Sequence, residues 1–167
     1  MAISVITGNS TGSSGTVLTT GNPQSGGVIQ TVYGRISDNR YSTTSTSWVS
    51  LGVTLSITPK FATSKILVRY VANATISANS SADGRFDVVR NSTQNLSGFS
   101  TGIQSISGNP STTNFGTIVV EYLDSPATTS AITYGASVQV DSSSYTLYFN
   151  DNSASTGTSF VLMEIAA

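Results

Sequence analysis

The chain has 167 residues, enough for one domain with its own core, and carries seven basic and eight acidic side chains for a net charge of −1. About a third of its residues are Ser or Thr, only 9% are charged, and it contains neither histidine nor cysteine. That excludes histidine-assisted and cysteine nucleophiles, disulfides and ordinary structural zinc sites. The basic residues (Arg35, Arg40, Lys60, Lys65, Arg69, Arg85, Arg90) are interleaved with acids and offer no footprint for a nucleic-acid backbone.

The first residues, Met1-Ala2-Ile3-Ser4-Val5-Ile6-Thr7-Gly8, lack the positive flank and long apolar stretch of a signal peptide. No run approaches the ~18 apolar residues that span a bilayer. The expectation is synthesis in a cytoplasm without export, and no membrane partner. Residues 8–27 are almost wholly Gly, Ser, Thr, Asn and Pro, broken by Val17 and Leu18, and cannot bury enough apolar surface to fold alone. Residues 1–27 therefore read as an extended N-terminal arm with Ile3, Val5, Ile6, Val17 and Leu18 as its apolar anchors, and 28–167 as the folded domain.

From Val28 onward, short period-two runs rich in β-branched and aromatic residues alternate with Gly, Asn, Asp and Ser clusters, the pattern of strands and turns. Residues 28–36 form the first strand. In 48–58, Val53, Leu55 and Ile57 share one face and Thr54, Ser56 and Thr58 the other, with Pro59 ending the run. Residues 65–76 point Ile66, Val68, Tyr70, Ala72, Ala74 and Ile76 inward and leave a partly apolar outer face of Lys65, Leu67, Arg69 and Val71. After a turn-rich connection at 79–84, residues 85–90 place Phe86 and Val88 on one side and read as a hairpin partner of the preceding strand. Residues 96–106 are a weaker, Gly-broken strand or loop. Runs at 115–124, 131–141, 145–150 and 158–165 complete about eight strands. The fold expected is all-β, an antiparallel β-sandwich of jelly-roll type. In the last run, Phe160, Leu162, Met163 and Ile165 put apolar side chains on both faces, which suits a central strand or a subunit-interface strand.

The phrase Ser47-Trp48-Val49-Ser50-Leu51-Gly52-Val53-Thr54-Leu55-Ser56-Ile57-Thr58-Pro59-Lys60, followed by Ser64-Lys65-Ile66-Leu67-Val68, resembles one that recurs in bacteriophage virion proteins. Gly26-Gly27-Val28-Ile29-Gln30-Thr31-Val32, Arg90 at the end of a middle strand, and the closing Leu162-Met163-Glu164-Ile165 extend the likeness over most of 26–167. The resemblance implies a tail-fibre or capsid-accessory β-domain, typically trimeric, of phages of aquatic bacteria including cyanobacteria. It brings no catalytic residues. The sequence lacks the extended shaft of long fibre proteins, which favours a compact piece of shell or tail.

Candidate chemistry is sparse. Glycan cleavage needs two carboxyl groups about 5–10 Å apart, and Asp83 and Asp87 are the closest pair in sequence, with Asp83 in a turn and Asp87 facing outward beside Arg85. Solvated turn and strand-face acids explain them equally simply. Asn150-Asp151-Asn152 and Asp38-Asn39 could give oxygens to calcium, although turn chemistry accounts for the same residues. Sequons such as Asn73-Ala74-Thr75 and Asn91-Ser92-Thr93 arise readily in a Ser/Thr-rich chain. Tyr33, Tyr41, Trp48, Tyr70, Tyr122, Tyr134, Tyr145 and Tyr148 could build a sugar platform, but aromatics are also ordinary strand residues. Arg85 and Arg90 flank Phe86 to Val89 with Asp87 between them, and suit cross-strand ion pairs better than an anion site.

The expectation is thus a non-enzymatic virion structural protein with no cofactor and no metal. The favoured role is a homotrimeric capsid decoration or cement protein that holds the major capsid protein through its arm. The alternative is a tail-fibre or tail-spike domain that binds a host receptor or glycan through the loops at 79–84, 98–113 and 151–157.

Overall fold

Alternating apolar and polar side chains on β-branched runs give eleven strands and no helix among the described residues, which in this computed structural model are 23–36, 40–77, 82–108, 114–150 and 158–167. In chain order the strands are β1 (Val28–Ile36), β2 (Tyr41–Thr43), β3 (Val49–Ile57), β4 (Lys65–Ser77), β5 (Ala82–Arg90), β6 (Gln94–Asn95), β7 (Gln104–Gly108), β8 (Asn114–Asp124), β9 (Ile132–Val140), β10 (Thr146–Phe149) and β11 (Thr158–Ile165). They form two sheets with antiparallel pairing throughout. The six-stranded sheet is built on β4, whose one edge pairs along most of its length with β8. Its other edge is shared end to end by β11 and β10, beyond which lie β1 and β2. The five-stranded sheet runs β3, β9, β5, with β7 and β6 sharing the far edge of β5.

Setting aside the short β2, β6 and β10, the remaining strands pair first with last, second with seventh, third with sixth and fourth with fifth: β1 with β11, β3 with β9, β4 with β8, β5 with β7. This is one long antiparallel hairpin. The added pairs β11 with β4 and β9 with β5 roll it into two facing sheets, the strand order of a jelly roll. The expected sandwich is therefore the observed one.

One local expectation fails. β5 does not pair with β4 but lies in the opposite sheet, between β9 and β7. Both edges of β4 are occupied by more distant strands, so the hairpin that sequence proximity favours has no edge to use.

The core lies between the sheets. Ile66, Val68, Tyr70, Ala72, Ala74 and Ile76 of β4 are all buried on the inward face, as their spacing predicts. They face Phe86 and Val88 of β5 and Ile132, Tyr134, Ala136, Val138 and Val140 of β9, all likewise buried. Tyr70 stacks on Phe160 with ring centroids 5.7 Å apart and meets Phe149 edge-on at 6.0 Å. β11 is central, between β1 and β4, which accounts for its apolar side chains on both faces.

Phe160 is 0% exposed, and removing its ring leaves a void beside Tyr70 that the two sheets cannot close. Phe160→Ala should lower the unfolding free energy by about 3–5 kcal/mol in urea melts, with the slope of the transition unchanged.

Candidate functional site

The outer faces of the two sheets are treated differently by the chain. On the five-stranded sheet, the segment 96–103 lies over β5 and β9 and is pinned at several points. Asp87 accepts hydrogen bonds from the Val88 N–H at 2.7 Å and from the Ser97 hydroxyl at 2.5 Å, and Ser97 Oγ in turn accepts from the Phe99 N–H at 3.1 Å. Gln139 Nε2 donates to the Ser100 carbonyl at 2.7 Å, and the Ile103 N–H donates to the Phe86 carbonyl at 2.8 Å. Gly102 has φ of +70°, and a Cβ there would collide with the Phe86 carbonyl and the Trp48 ring, so only glycine fits. The pinned loop leaves Phe99 67% exposed.

This roof corrects the reading of Asp87. Alternation places it opposite Phe86 and Val88, but that face is covered and Asp87 is fully buried instead of solvated. Burial raises its pKa, and the hydrogen bonds from Ser97 and Val88 recover part of the shift. The Tyr70 hydroxyl donates to the Asp87 carbonyl at 3.2 Å, and burial followed by the Asp87 charge pushes its pKa well up.

Two more buried carboxylates share one inward row at an end of the six-stranded sheet. Ile66 pairs with Glu164 on one side and Asp124 on the other, and Gln30 lies beyond Glu164. The Glu164 carboxylate accepts from the Lys60 N–H at 2.7 Å, the Phe61 N–H at 3.1 Å and Gln30 Nε2 at 2.6 Å. It thereby ties the loop after β3 to the other sheet. Asp124 receives Arg90 Nη1 at 2.8 Å and the Tyr134 hydroxyl at 2.7 Å, both from the five-stranded sheet. Burial first, then the bond to Asp124 and its charge, raise the Tyr134 pKa, and Arg90 offsets a little. Arg90 thus finds its ion-pair partner on a strand of the opposite sheet.

The outer face of the six-stranded sheet has no such roof among the described residues. Its cross-strand rows, read from the register, are Leu123, Leu67, Met163 and Thr31, then Glu121, Arg69, Val161 and Tyr33, then Val119, Val71, Ser159 and Arg35. Val28 and Lys65 flank Ile165 at one end, and Phe115, Thr75 and Tyr148 form a row near the other, with Arg40 3.6 Å over the Tyr148 ring. Five of the six large apolar side chains exposed on the described chain, Val28, Tyr33, Phe115, Val119 and Leu123, lie on this face. Leu67 and Val71 had signalled it in the sequence. The contribution of β8 was not singled out there, because its Phe115, Val119 and Leu123 look the same whichever face they occupy.

The remaining candidates disperse. Asp83, half-buried, accepts from the Ser107 hydroxyl at 2.7 Å. It stands four residues from Asp87 on the same strand, about 13 Å away, beyond the span used by paired glycosidase carboxylates. Asn150 has a left-handed backbone (φ 54°) and accepts from the Thr158 hydroxyl, a turn role. Asp38, Asn39, Asp151 and Asn152 lie outside the described residues, and no group of three His, Cys, Asp or Glu suited to a metal occurs among those described. Tyr70 and Tyr134 are in the core, while Tyr33 stands alone on β1, so the aromatics do not form one platform. The arm residues Ile3, Val5, Ile6, Val17 and Leu18 are outside the described residues. Gly26 and Gly27 already exchange backbone bonds with Ala166, extending the β1–β11 ladder. Of the last strand, Phe160 and Leu162 are interior, and Met163 and Ile165 are half-buried on the outer face.

No protein-family model matches the chain, and no curated protein matches it. Among solved structures, the infectious bursal disease virus VP2 subviral particle aligns with 87% of this chain at 11% identity and a TM-score of 0.31. The aligned part covers 39% of that protein, so this chain spans about two fifths of its length.

Asp87 keeps its proton to higher pH in the folded chain than in the unfolded one, where its pKa is about 3.8. Between those values the folded state binds more protons, so this group's contribution falls as pH rises through the window and is fullest below the lower value. Wild type should therefore gain stability relative to Asp87→Asn when urea melts are moved from pH 7 to pH 4. A constant difference would show that Asp87 is not the group responsible.

Glu164→Ala strands the Lys60 and Phe61 N–H groups. It should cost about 3 kcal/mol and speed amide hydrogen exchange at Lys60 and Phe61.

Proposed function

We propose that the chain is a non-enzymatic structural protein of a phage virion, a homotrimeric capsid decoration or cement protein that engages the major capsid protein and its own neighbours. The observation that carries this reading is the unroofed outer face of the six-stranded sheet, with Leu67, Leu123, Met163, Val119 and Val161 in adjacent rows. A contiguous apolar patch on a sheet face marks a protein–protein contact more often than a solvated surface. The jelly-roll strand order, recurrent among capsid domains, supports the same reading. The phrases likened to phage virion proteins add to it, because the Thr58-Pro59-Lys60 turn and the closing Glu164 meet in one set of hydrogen bonds. The low charge of the chain removes the repulsion that keeps copies apart.

In this reading the arm is the attachment device and the domain is the body it secures. Ordering the arm costs conformational entropy that its apolar anchors and backbone pairing must outweigh on the particle. A tail-fibre or spike role is the second reading, and the pinned loop that offers Phe99 favours it, since a rigid loop with one exposed aromatic is suited to gripping a host receptor or glycan.

Purified particles decide between the two: many copies on the head identify decoration, a few copies at the tail identify a fibre. Deleting residues 1–22, which spares the Gly26 and Gly27 bonds to Ala166, should leave the melting transition in place and abolish attachment. Full occupancy by the shortened protein would overturn the arm's role.

A further inference from the structure

The outer face of the six-stranded sheet needs an occupant, and the charges on it narrow the choice. Arg35, Lys65 and Arg69 are exposed on this face, and among the described residues Glu121 is the one exposed acid there. Two identical faces stacked on each other would set these three cations against three others with two glutamates between them, and burying such like charges is costly. An uncharged, partly apolar segment meets no such penalty. Residues 2–22 contain no Asp, Glu, Lys or Arg and hold Ile3, Val5, Ile6, Val17 and Leu18.

We propose that residues 1–22 of one copy dock on the outer face of the six-stranded sheet of a second copy, along the row of Leu123, Leu67 and Met163 and over Val161, Val71 and Val119 in the two rows beyond it; this rests on the assembly role proposed above. The described chain starts at Pro23, three residues before Gly26 and Gly27 bond to Ala166, next to the Val28–Ile165 pair at the same end of the sheet as the Leu123, Leu67, Met163 row. Twenty-two extended residues reach about 70 Å. The sheet from β1 to β8 spans three strand spacings, about 15 Å, so the segment can leave its own domain and cross a neighbour.

Docking is onto the face, not by strand addition to the edge of β8. The Val119 N–H is already taken by Gln104 Oε1 at 3.0 Å. The central edge position a new strand would need is therefore closed. Side-chain contact with the exposed rows remains open. The contact is head-to-tail, arm to face, and closes a ring when the rotation between copies suits a trimer.

The absence of cysteine from the chain makes the test direct. Full-length Val5→Cys protein is mixed with full-length Leu123→Cys protein under mild oxidation, with Val17→Cys in parallel so that no register is assumed. Ser50→Cys, exposed on the opposite sheet, serves as the control acceptor. A mixed disulfide between arm and Leu123 positions forming at least about tenfold faster than to the Ser50 position supports the proposal. Thermal melts of each variant verify that the domain is folded. Equal rates overturn it. So does a disulfide that forms only within single chains carrying both substitutions, which would place the arm on its own face. Dimers linked through two Leu123 positions forming fastest would make a second copy's sheet the occupant and also overturn it. Attachment of the arm-deleted protein to particles is measured separately: if attachment stays arm-dependent while the cross-link fails, this docking site falls and the assembly role stands.

Discussion

The insertion of the last strand between the first and the third long strand is the constraint on which the rest of the structure depends. Until β11 lies between β1 and β4, the six-stranded sheet is two unconnected pieces, and Tyr70 has no Phe160 to stack on. This contact joins positions 90 residues apart in sequence. Closing such a loop costs chain entropy that only the completed pairing of β11 with β1 and β4 offsets. Glu164 reinforces the closure. Its carboxylate collects two backbone N–H groups from the loop after β3 and the Gln30 amide from β1, so the strand that completes one sheet also ties down the other.

The buried carboxylates follow a common physical rule. A charge removed from water is tolerated only when donors surround it, and each of the three has them. Glu164 uses backbone N–H groups and an amide, Asp124 an arginine and a tyrosine, and Asp87 a serine and a backbone N–H. All three join segments that strand pairing alone would not hold together. In a chain with so few charges, those that are buried fix geometry, while the surface is left largely to hydroxyls. Ser56 and Thr133 show the substitution: they face each other across β3 and β9 and bond through their hydroxyls at 2.8 Å.

Much of the fold was legible because alternation is a direct consequence of strand geometry. The inward set on β4 is the six residues its spacing selects, and the two apolar faces of β11 announce a strand with neighbours on both sides. Alternation does not say which sheet a strand joins, so β5 was assigned to the neighbour nearest in sequence when its partners are β9 and β7. Nor does it say what covers an outer face. Asp87 occupies the side its parity dictates, yet the roof over it depends on Ser97, Ser100 and Gly102, whose hydrogen bonds reach back to strands up to 39 residues away. The candidate face was half legible: Leu67 and Val71 showed an apolar exterior on β4, but its extent appears only when the register aligns β8, β11 and β1 beside it.

That asymmetry between the two outer faces connects composition to assembly. The chain spends a loop, a buried carboxylate and an obligatory glycine on covering one sheet, and leaves the other with apolar rows in the open. Of the exposed positions of β8, Phe115, Val119 and Leu123 are apolar and only Glu121 is charged, and an edge strand of that kind invites association. The edge itself is guarded instead, by Gln104 on the Val119 N–H, so association through the backbone is discouraged while the face stays available. A surface arranged this way favours contact through side chains over pairing of backbones.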